Sequence, residues 1–278
     1  MHKLRLADGR IFTFENMEYM GIINVTPDSF FQNSRVEGVE AALQKADAMI
    51  EEGANFLDIG GESTRPGSMP VTWEEECQRI VPVIETIAKK HPDVILSVDT
   101  YHGDTAQAAI KAGAHIINDI SGLTFDDNMA SIAAKAGVPV IIMHTGGRPK
   151  DMQVDPQYDN VVKEVYEFLE RQIQVALGAG VGRDQIIIDL GIGFGKNKEH
   201  NLELLRSIDT FKKLNMPHLM AVSRKTVIGH VTGEMDPMNR LAGTVALSCY
   251  GALHDIEMVR VHDVAENRQG VMMMEALR

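Results

Sequence analysis

The stretch VILSVDTYHGDTAQAAIKAGAHIINDISGLTFDDNMASIAAKAGVPVIIMH, residues 94–144, decides the fold. It holds three short β-branched runs, VILSVDT (94–100), HIINDI (115–120) and VPVIIMH (138–144). Between them lie two longer stretches with apolar residues at helical spacing, DTAQAAIKAG (104–113) and MASIAAKAG (129–137). Each ends in glycine just before the next run, an ordinary helix stop. Short apolar runs alternating with helical patterns read as βα units that share a parallel sheet.

The same alternation continues in both directions. MGIINV (20–25) and FLDIGG (56–61) precede this stretch, and QIIIDLGI (185–192), HLMAVSR (218–224) and MVRVHD (258–263) follow it, making eight runs. The intervening helical patterns include 37–54, with Val39, Leu43, Ala46 and Ile50 on one face, and 73–90, where Pro82 predicts a kink. Further patterns cover 160–180, 201–214, 240–256 and 266–278. Eight strands alternating with eight helices predict an α/β fold of the (β/α)8 TIM-barrel type, one domain over residues 1–278. The competing architecture is a doubly wound open sheet with two extra strands. Residues 1–19 read as a short N-terminal β-hairpin, because Asp8 and Gly9 sit between alternating apolar residues. Such a hairpin is placed to plug the N-terminal mouth of the barrel.

Composition narrows the partners. With 27 Lys and Arg against 39 Asp and Glu, the formal charge is −12, which argues against nucleic acid or an anionic membrane surface. A small anionic substrate stays compatible, since a few local cations reverse the potential inside one pocket. The opening MHKLRLADGRIFTF lacks the apolar core of a signal peptide. No apolar run approaches the roughly 18 residues that span a bilayer. Two cysteines, Cys77 and Cys249, in no CxxC pattern predict neither a zinc site nor a disulfide framework. A reducing cytoplasm fits that usage.

Barrel chemistry sits at the carboxyl ends of the strands. Polar residues collect there: Asn24 near the end of the first run, GGESTRPG (60–67) ending the second, then Asp99, Asn118 and Asp119, His144, Asp189, then Ser223, Arg224 and Lys225, and last Arg260, His262 and Asp263. Polar groups pointing into a barrel are costly without a partner, so eight strands ending this way point to a ligand. Arg260 and His262 share a face, as do Ser97 with Asp99 and Ser223 with Lys225. Asp119 and Asp263 alternate away and read as structural. Asp99, Asn118 and Asp189 suit a neutral heterocycle with several N–H donors, and Lys225 suits its carbonyl oxygen. Bland roles stay open: Asp189 as a helix cap, Asp99 as a loop holder, His262 as a satisfied core histidine. Arg260, His262 and Asn24 suit phosphate oxygens. A diphosphate is commonly accompanied by Mg²⁺ that keeps several waters. Either His144 or Met143 lines the site. The glycines of GIGFGK do not make a Walker loop and read as close-approach positions.

The segments MGIINVTPDSF, GGESTRPG, SVDT, INDISG, DLGIGFGK, SRKTVIG and RVHDV, in this order from Met20 to Val264, resemble the motifs of dihydropteroate synthases. The resemblance implies a pterin held by Asp99, Asn118, Asp189 and Lys225, with Met143 and Phe194 packed nearby. It implies a diphosphate on Asn24, Arg260 and His262, with Mg²⁺ at Asn24. It implies a p-aminobenzoate site of Phe30, Thr64, Arg65, Pro66, Phe194, Lys225 and Thr226, which sulfonamides would share. Lys225, Arg260, His262 and Asn24 carry the chemistry in this reading. Plain core packing is the alternative for Phe30 and Phe194. A homodimer through the last helices, 241–253 and 271–277, is likewise implied, with packing against the barrel as the alternative.

Two places depart from the family pattern. FQNSRV follows NVTPDSF where SDGG is usual, so Gln32 replaces a loop acid, and Leu190 stands where proline is usual. Rival readings are a methyltetrahydrofolate:corrinoid methyltransferase, which shares the pterin set, and a non-catalytic pterin-binding paralogue.

Overall fold

The computed structural model describes residues 1–26, 35–63 and 67–278. Two short strands, β1 (Lys3–Arg5) and β2 (Ile11–Thr13), pair antiparallel. Eight parallel strands follow: β3 (Glu18–Asn24), β4 (Phe56–Gly60), β5 (Ile95–Asp99), β6 (Ile116–Asp119), β7 (Val140–Met143), β8 (Ile186–Asp189), β9 (His218–Met220) and β10 (Met258–Val261). They close into a barrel in which β10 pairs with β3. The open doubly wound sheet is thereby excluded.

The helices are α1 (Arg35–Glu51), α2 (Trp73–Lys90), α3 (Gly103–Ala112), α4 (Met129–Ala136), α5 (Val161–Ala179), α6 (Lys198–Arg206), α7 (Ile208–Phe211), α8 (Thr226–Thr232), α9 (Leu241–Leu253) and α10 (Val264–Glu275). They begin and end for local reasons. Asn160 accepts from Lys163 N to start α5, and Gly180, left-handed at φ +102°, stops it. α2 runs unbroken through Pro82, whose carbonyl accepts from Thr86 Oγ1 at 2.7 Å.

Three expectations change in detail. The hairpin is shorter than residues 1–19, because Glu18 and Tyr19 already pair with Met258 and Val259 in the barrel. The helix expected over 201–214 begins earlier, where Asn197 accepts from His200 N, and breaks at Ser207 into α6 and α7. The turn after the SRK triplet is itself helical, as α8.

The barrel interior is filled from below. Met20, Phe56, Ile95, Ile116, Ile141, Ile187, Leu219 and Met258, one from each barrel strand, form a buried apolar layer. Leu4, Leu6 and Phe14 of the N-terminal segment complete it, with Phe12 packed against them. Phe12 meets Phe56 edge-on at 4.9 Å between centroids, and Phe14 stacks on Phe56 at 6.4 Å. The hairpin plugs the N-terminal mouth, as its sequence predicts. The outward residues, such as Ile23, Leu57, Val98, Ile142 and Ile188, form the larger core beneath the helices. The lower end is therefore apolar and full, and polar chemistry is left to the upper end.

Candidate active site

Two positions along seven of the eight strands from the apolar layer, the same inward face carries Ile22, Asp58, Ser97, Asn118, Met143, Asp189 and Arg260. Two further on come Asn24, Asp99, Ile120 and His262. The strand period thus stacks a polar layer on an apolar floor. Cross-strand register sets Asp58 beside Ser97, Asp99 beside Asn118, and Met143 beside Asp189.

Arg260 is the hub. Its Nε donates to Asp58 Oδ2 at 2.6 Å and its Nη2 to Asp99 Oδ2 at 2.7 Å. Asn118 Nδ2 donates to the same Asp58 oxygen at 2.9 Å. Asp58 is fully buried, and Asp99 and Asn118 are nearly so. Among the described residues, Asp58 Oδ1, Ser97 Oγ and Asp99 Oδ1 are buried without a hydrogen-bond partner. Native interiors rarely leave such atoms unmet, and all three line the floor of this site.

The electrostatics follow from burial. Loss of water pushes the Asp99 carboxyl up to about 7; Arg260 opposes the rise and Asp58 adds to it. Burial likewise raises Asp189 to about 6, against the hydrogen bond it accepts from Gly191 N at 2.7 Å. Lys225 is lowered to about 8 by burial and by the neighbouring Arg260 charge. Its ammonium lies 4.1 Å from the Phe194 ring centroid. His262 is lowered to about 3, first by burial and then by Arg260. Ser223 Oγ accepts from the His262 backbone N–H at 3.2 Å and lies 2.9 Å from Nδ1. With Nδ1 held by Ser223, the other ring nitrogen, Nε2, is the one left to meet a ligand.

The SRK triplet divides its side chains. Arg224 adopts φ +56° and turns outward, pairing with Asp263 at 2.6 Å. That left-handed residue lets Ser223 hold His262 while Lys225 reaches Phe194. Asp119 accepts from Ser121 N and Leu123 N, so it organises its own loop. An apolar wall of Tyr101, Ile120, Met143, Met152 and Phe194, flanked by Phe125, closes one side of the mouth. His144 instead packs edge-on against Phe168 of α5, so Met143 is the inward residue of its strand. Asn24 is half-buried at the end of β3, and Thr226 is exposed at the start of α8. Phe30, Thr64, Arg65 and Pro66 lie outside the described residues, as does Gln32. Glu62, just before residues 64–66, accepts from Tyr101 OH at 2.6 Å and from Val71 N at 3.3 Å.

Comparison with known proteins fits this geometry. The pterin binding enzyme family matches residues 20–262. The chain is 40% identical over 270 residues to the dihydropteroate synthase of Escherichia coli strain K12, covering 97% of this chain and 95% of the relative. The chain belongs to the dihydropteroate synthase family. Among solved structures, Xanthomonas albilineans dihydropteroate synthase with 4-aminobenzoic acid superposes with a TM-score of 0.91 at 40% identity, covering 99% and 98% of the two chains. The same enzyme in complex with 7,8-dihydropteroate gives 0.88 at 38% identity, with 99% and 98% covered.

Two residues of this dihydropteroate synthase site escaped the sequence reading. Asp58 lay inside FLDIGG, and its only signal was a charge within an otherwise apolar strand. Lys196 closed GIGFGK, where lysine suggests phosphate. It is buried, and its Nζ donates to the carbonyls of Gly191, Phe194 and His144 at 2.9, 3.0 and 3.3 Å, and sits 2.9 Å from His144 Nδ1. It holds the β8 loop shut rather than meeting a ligand. The close-approach reading holds for Gly195, where a Cβ would lie 2.5 Å from Gly146 Cα, while at Gly193 it would meet only the Lys225 side chain at 3.3 Å; Gly191, at φ +64°, is tighter still, 1.8 Å from the His144 carbonyl oxygen. Leu190, the departure beside it, is buried in the outer core. Gly191→Ala is expected to cost about 3 kcal/mol or more, from overlap plus left-handed strain. A thermal melt within about a degree of wild type would contradict the close approach.

Proposed function

We propose that the chain condenses 6-hydroxymethyl-7,8-dihydropterin diphosphate with p-aminobenzoate to give 7,8-dihydropteroate and diphosphate, a step of folate biosynthesis. The observation that carries the reading is the polar layer itself: buried acceptors left without donors, one of them on the Asp99 carboxylate that Arg260 also holds. A 2-amino-pyrimidinone edge supplies adjacent N–H donors, and Asp189, Asn118 and Asp99 accept them. Lys225 meets the heterocycle's carbonyl oxygen, and Met143 and Phe194 pack on the ring. Arg260, His262 through the ring nitrogen not held by Ser223, and Asn24 hold the diphosphate. The related synthases solved with 4-aminobenzoic acid and with 7,8-dihydropteroate support the same pair of substrates. Phe30, Thr64, Arg65, Pro66 and Thr226 complete the p-aminobenzoate site in this reading, and sulfonamides compete for it.

The C–O bond to the diphosphate breaks first, and the leaving group takes the electron pair. The electron-rich dihydropterin spreads the resulting methylene cation. The p-aminobenzoate amine then forms the C–N bond and gives up a proton. The protein's task is to stabilise developing charge with fixed donors, so no side-chain nucleophile is needed. Among the described residues no three His, Cys, Asp or Glu side chains converge on a metal position. Asn24 would be the protein group that holds a Mg²⁺ carried in on the diphosphate. The ion would neutralise leaving-group charge.

The deciding experiment is diphosphate release from pterin diphosphate and Mg²⁺, with and without p-aminobenzoate. Release that depends on p-aminobenzoate is expected. Pterin binding without release would favour a non-catalytic pterin-binding protein, and turnover of methyltetrahydrofolate with a corrinoid partner would favour the methyltransferase. Lys225→Ala is expected to lower kcat by about 10³-fold, the scale of losing one charged transition-state contact. Its melting temperature should not fall, because a desolvated cation is removed. Near-normal kinetics would remove Lys225 from the mechanism.

No helix among the described residues is long and apolar enough to cross a membrane. A cytoplasmic location fits the two free cysteines. We further read the protein as a homodimer through α9 and α10. α9 turns Thr244, Ser248 and Gly251 inward and leaves Ala242 and Ala246 exposed; Met272 and Met273 of α10 are exposed as well. A helix whose small polar side faces the core and whose apolar side faces out is shaped for a partner surface. Sedimentation at micromolar concentration should give twice the monomer mass; a monomer alone would end this reading.

A further inference from the structure

We propose that Asp58 is a positioning residue that aligns both halves of the substrate site through a single carboxylate oxygen. Its Oδ2 takes the Asn118 amide at 2.9 Å and Arg260 Nε at 2.6 Å. The first bond fixes the rotation of the Asn118 side chain. With one Nδ2 hydrogen on Asp58, the amide is oriented so that its carbonyl oxygen, an acceptor, is what Asn118 offers on the side away from Asp58. The second bond fixes the guanidinium. With Nε and Nη2 spent on Asp58 and Asp99, Nη1 is the nitrogen Arg260 keeps wholly for phosphate oxygens.

Asp58 is not arranged like a packing device. A buried ion pair kept for the fold would satisfy both carboxylate oxygens. Here Oδ1 has no partner, and neither does Ser97 Oγ on the paired position of the next strand. The residue is fully buried, on the inward face directly above Phe56, so it is set at the floor of the site rather than among the helices. The carboxylate meets both donors with a full negative charge, whereas asparagine would keep only a neutral oxygen for them and put an N–H₂ where Oδ1 now has no partner, so the grip on both groups weakens. One side chain therefore couples the pterin-facing residue to the diphosphate-facing residue.

This inference rests on the proposed roles of Asn118 and Arg260, and the test separates the two ideas. Calorimetry on wild type and Asp58→Asn would measure the Kd of bare 6-hydroxymethyl-7,8-dihydropterin and, separately, of inorganic diphosphate with Mg²⁺. In the folded variant both Kd values are expected to rise about tenfold or more, while the KM for p-aminobenzoate stays within about twofold. Should Asp58→Asn not fold, Asp58→Leu removes the buried charge at similar volume and carries the same comparison. Unchanged Kd values with only a lower melting temperature would make Asp58 a structural ion pair and overturn the proposal. Loss of one affinity without the other would overturn the joint role. Wild type that binds neither ligand would instead overturn the site reading itself.

Discussion

Asp189→Asn is expected to lower kcat/KM for the pterin diphosphate by about 10³-fold and yet to raise the melting temperature at pH 8 by several degrees. Both effects come from one carboxylate. Asp189 is buried at the end of β8, and burial lifts its carboxyl to about 6. A raised folded-state value means that the native state holds its proton more tightly than the unfolded chain. The stabilising contribution is therefore complete below the unfolded value of 3.8 and is lost as pH rises through about 6. Above that, the empty site carries a desolvated anion costing up to about 3 kcal/mol. Asparagine keeps an oxygen for the Gly191 amide and carries no charge. It cannot accept two ligand N–H donors, so the charge-assisted bonds disappear. The stability gain should shrink as pH is lowered through 6, and wild-type kcat/KM should fall over the same window as the carboxylate is protonated. A stability difference that does not vary with pH would show that Asp189 is not the titrating group.

Arg260→Ala should be the most damaging substitution in the barrel. It strands Asp58 and Asp99, which the guanidinium alone brings together from β10. Removing one partner of a buried ion pair costs about 3–5 kcal/mol, which lowers the melting temperature by roughly 10 °C. Asp99 then loses the cation that opposes its desolvation, so its carboxyl rises above about 7. The damage should be greatest at alkaline pH and partly relieved by acid, which protonates the stranded Asp99. Loss of function should not be confined to the diphosphate: Asp99 moves when Arg260 is gone, so bare pterin should bind more weakly too. A variant with normal stability and normal pterin affinity would contradict the hub geometry.

The sequence displayed some of this and hid the rest, for physical reasons. Eight apolar runs were legible because parallel strands are buried on both faces and need unbroken β-branched stretches. Period two then told which polar residues share the interior, and Arg260 with His262 and Ser97 with Asp99 fall where parity puts them. The break at Ser207 was not legible, since serine neither forbids helix nor commands a stop, and the packing of Ile208 and Phe211 decides it. Asp58 was hidden because a single charge in an apolar run looks like an interruption until the strands close and bring Asn118 and Arg260 to it. Lys196 was hidden for a related reason. Its acceptors are carbonyls of two loops that meet only in the folded barrel.

The pairing of β10 with β3 sets Met258 opposite Glu18 and Val261 opposite Gly21. During synthesis, one edge of β3 has no neighbour until Met258–Val261 has left the ribosome. The apolar segment Met20–Ile23 therefore waits, open-edged, while every other barrel strand is made. Parallel pairing across so large a sequence separation is slow even after release. The last hydrogen bonds to form should be those of this seam, and a nascent chain stalled before Met258 should be a substrate for chaperones rather than a partly working enzyme.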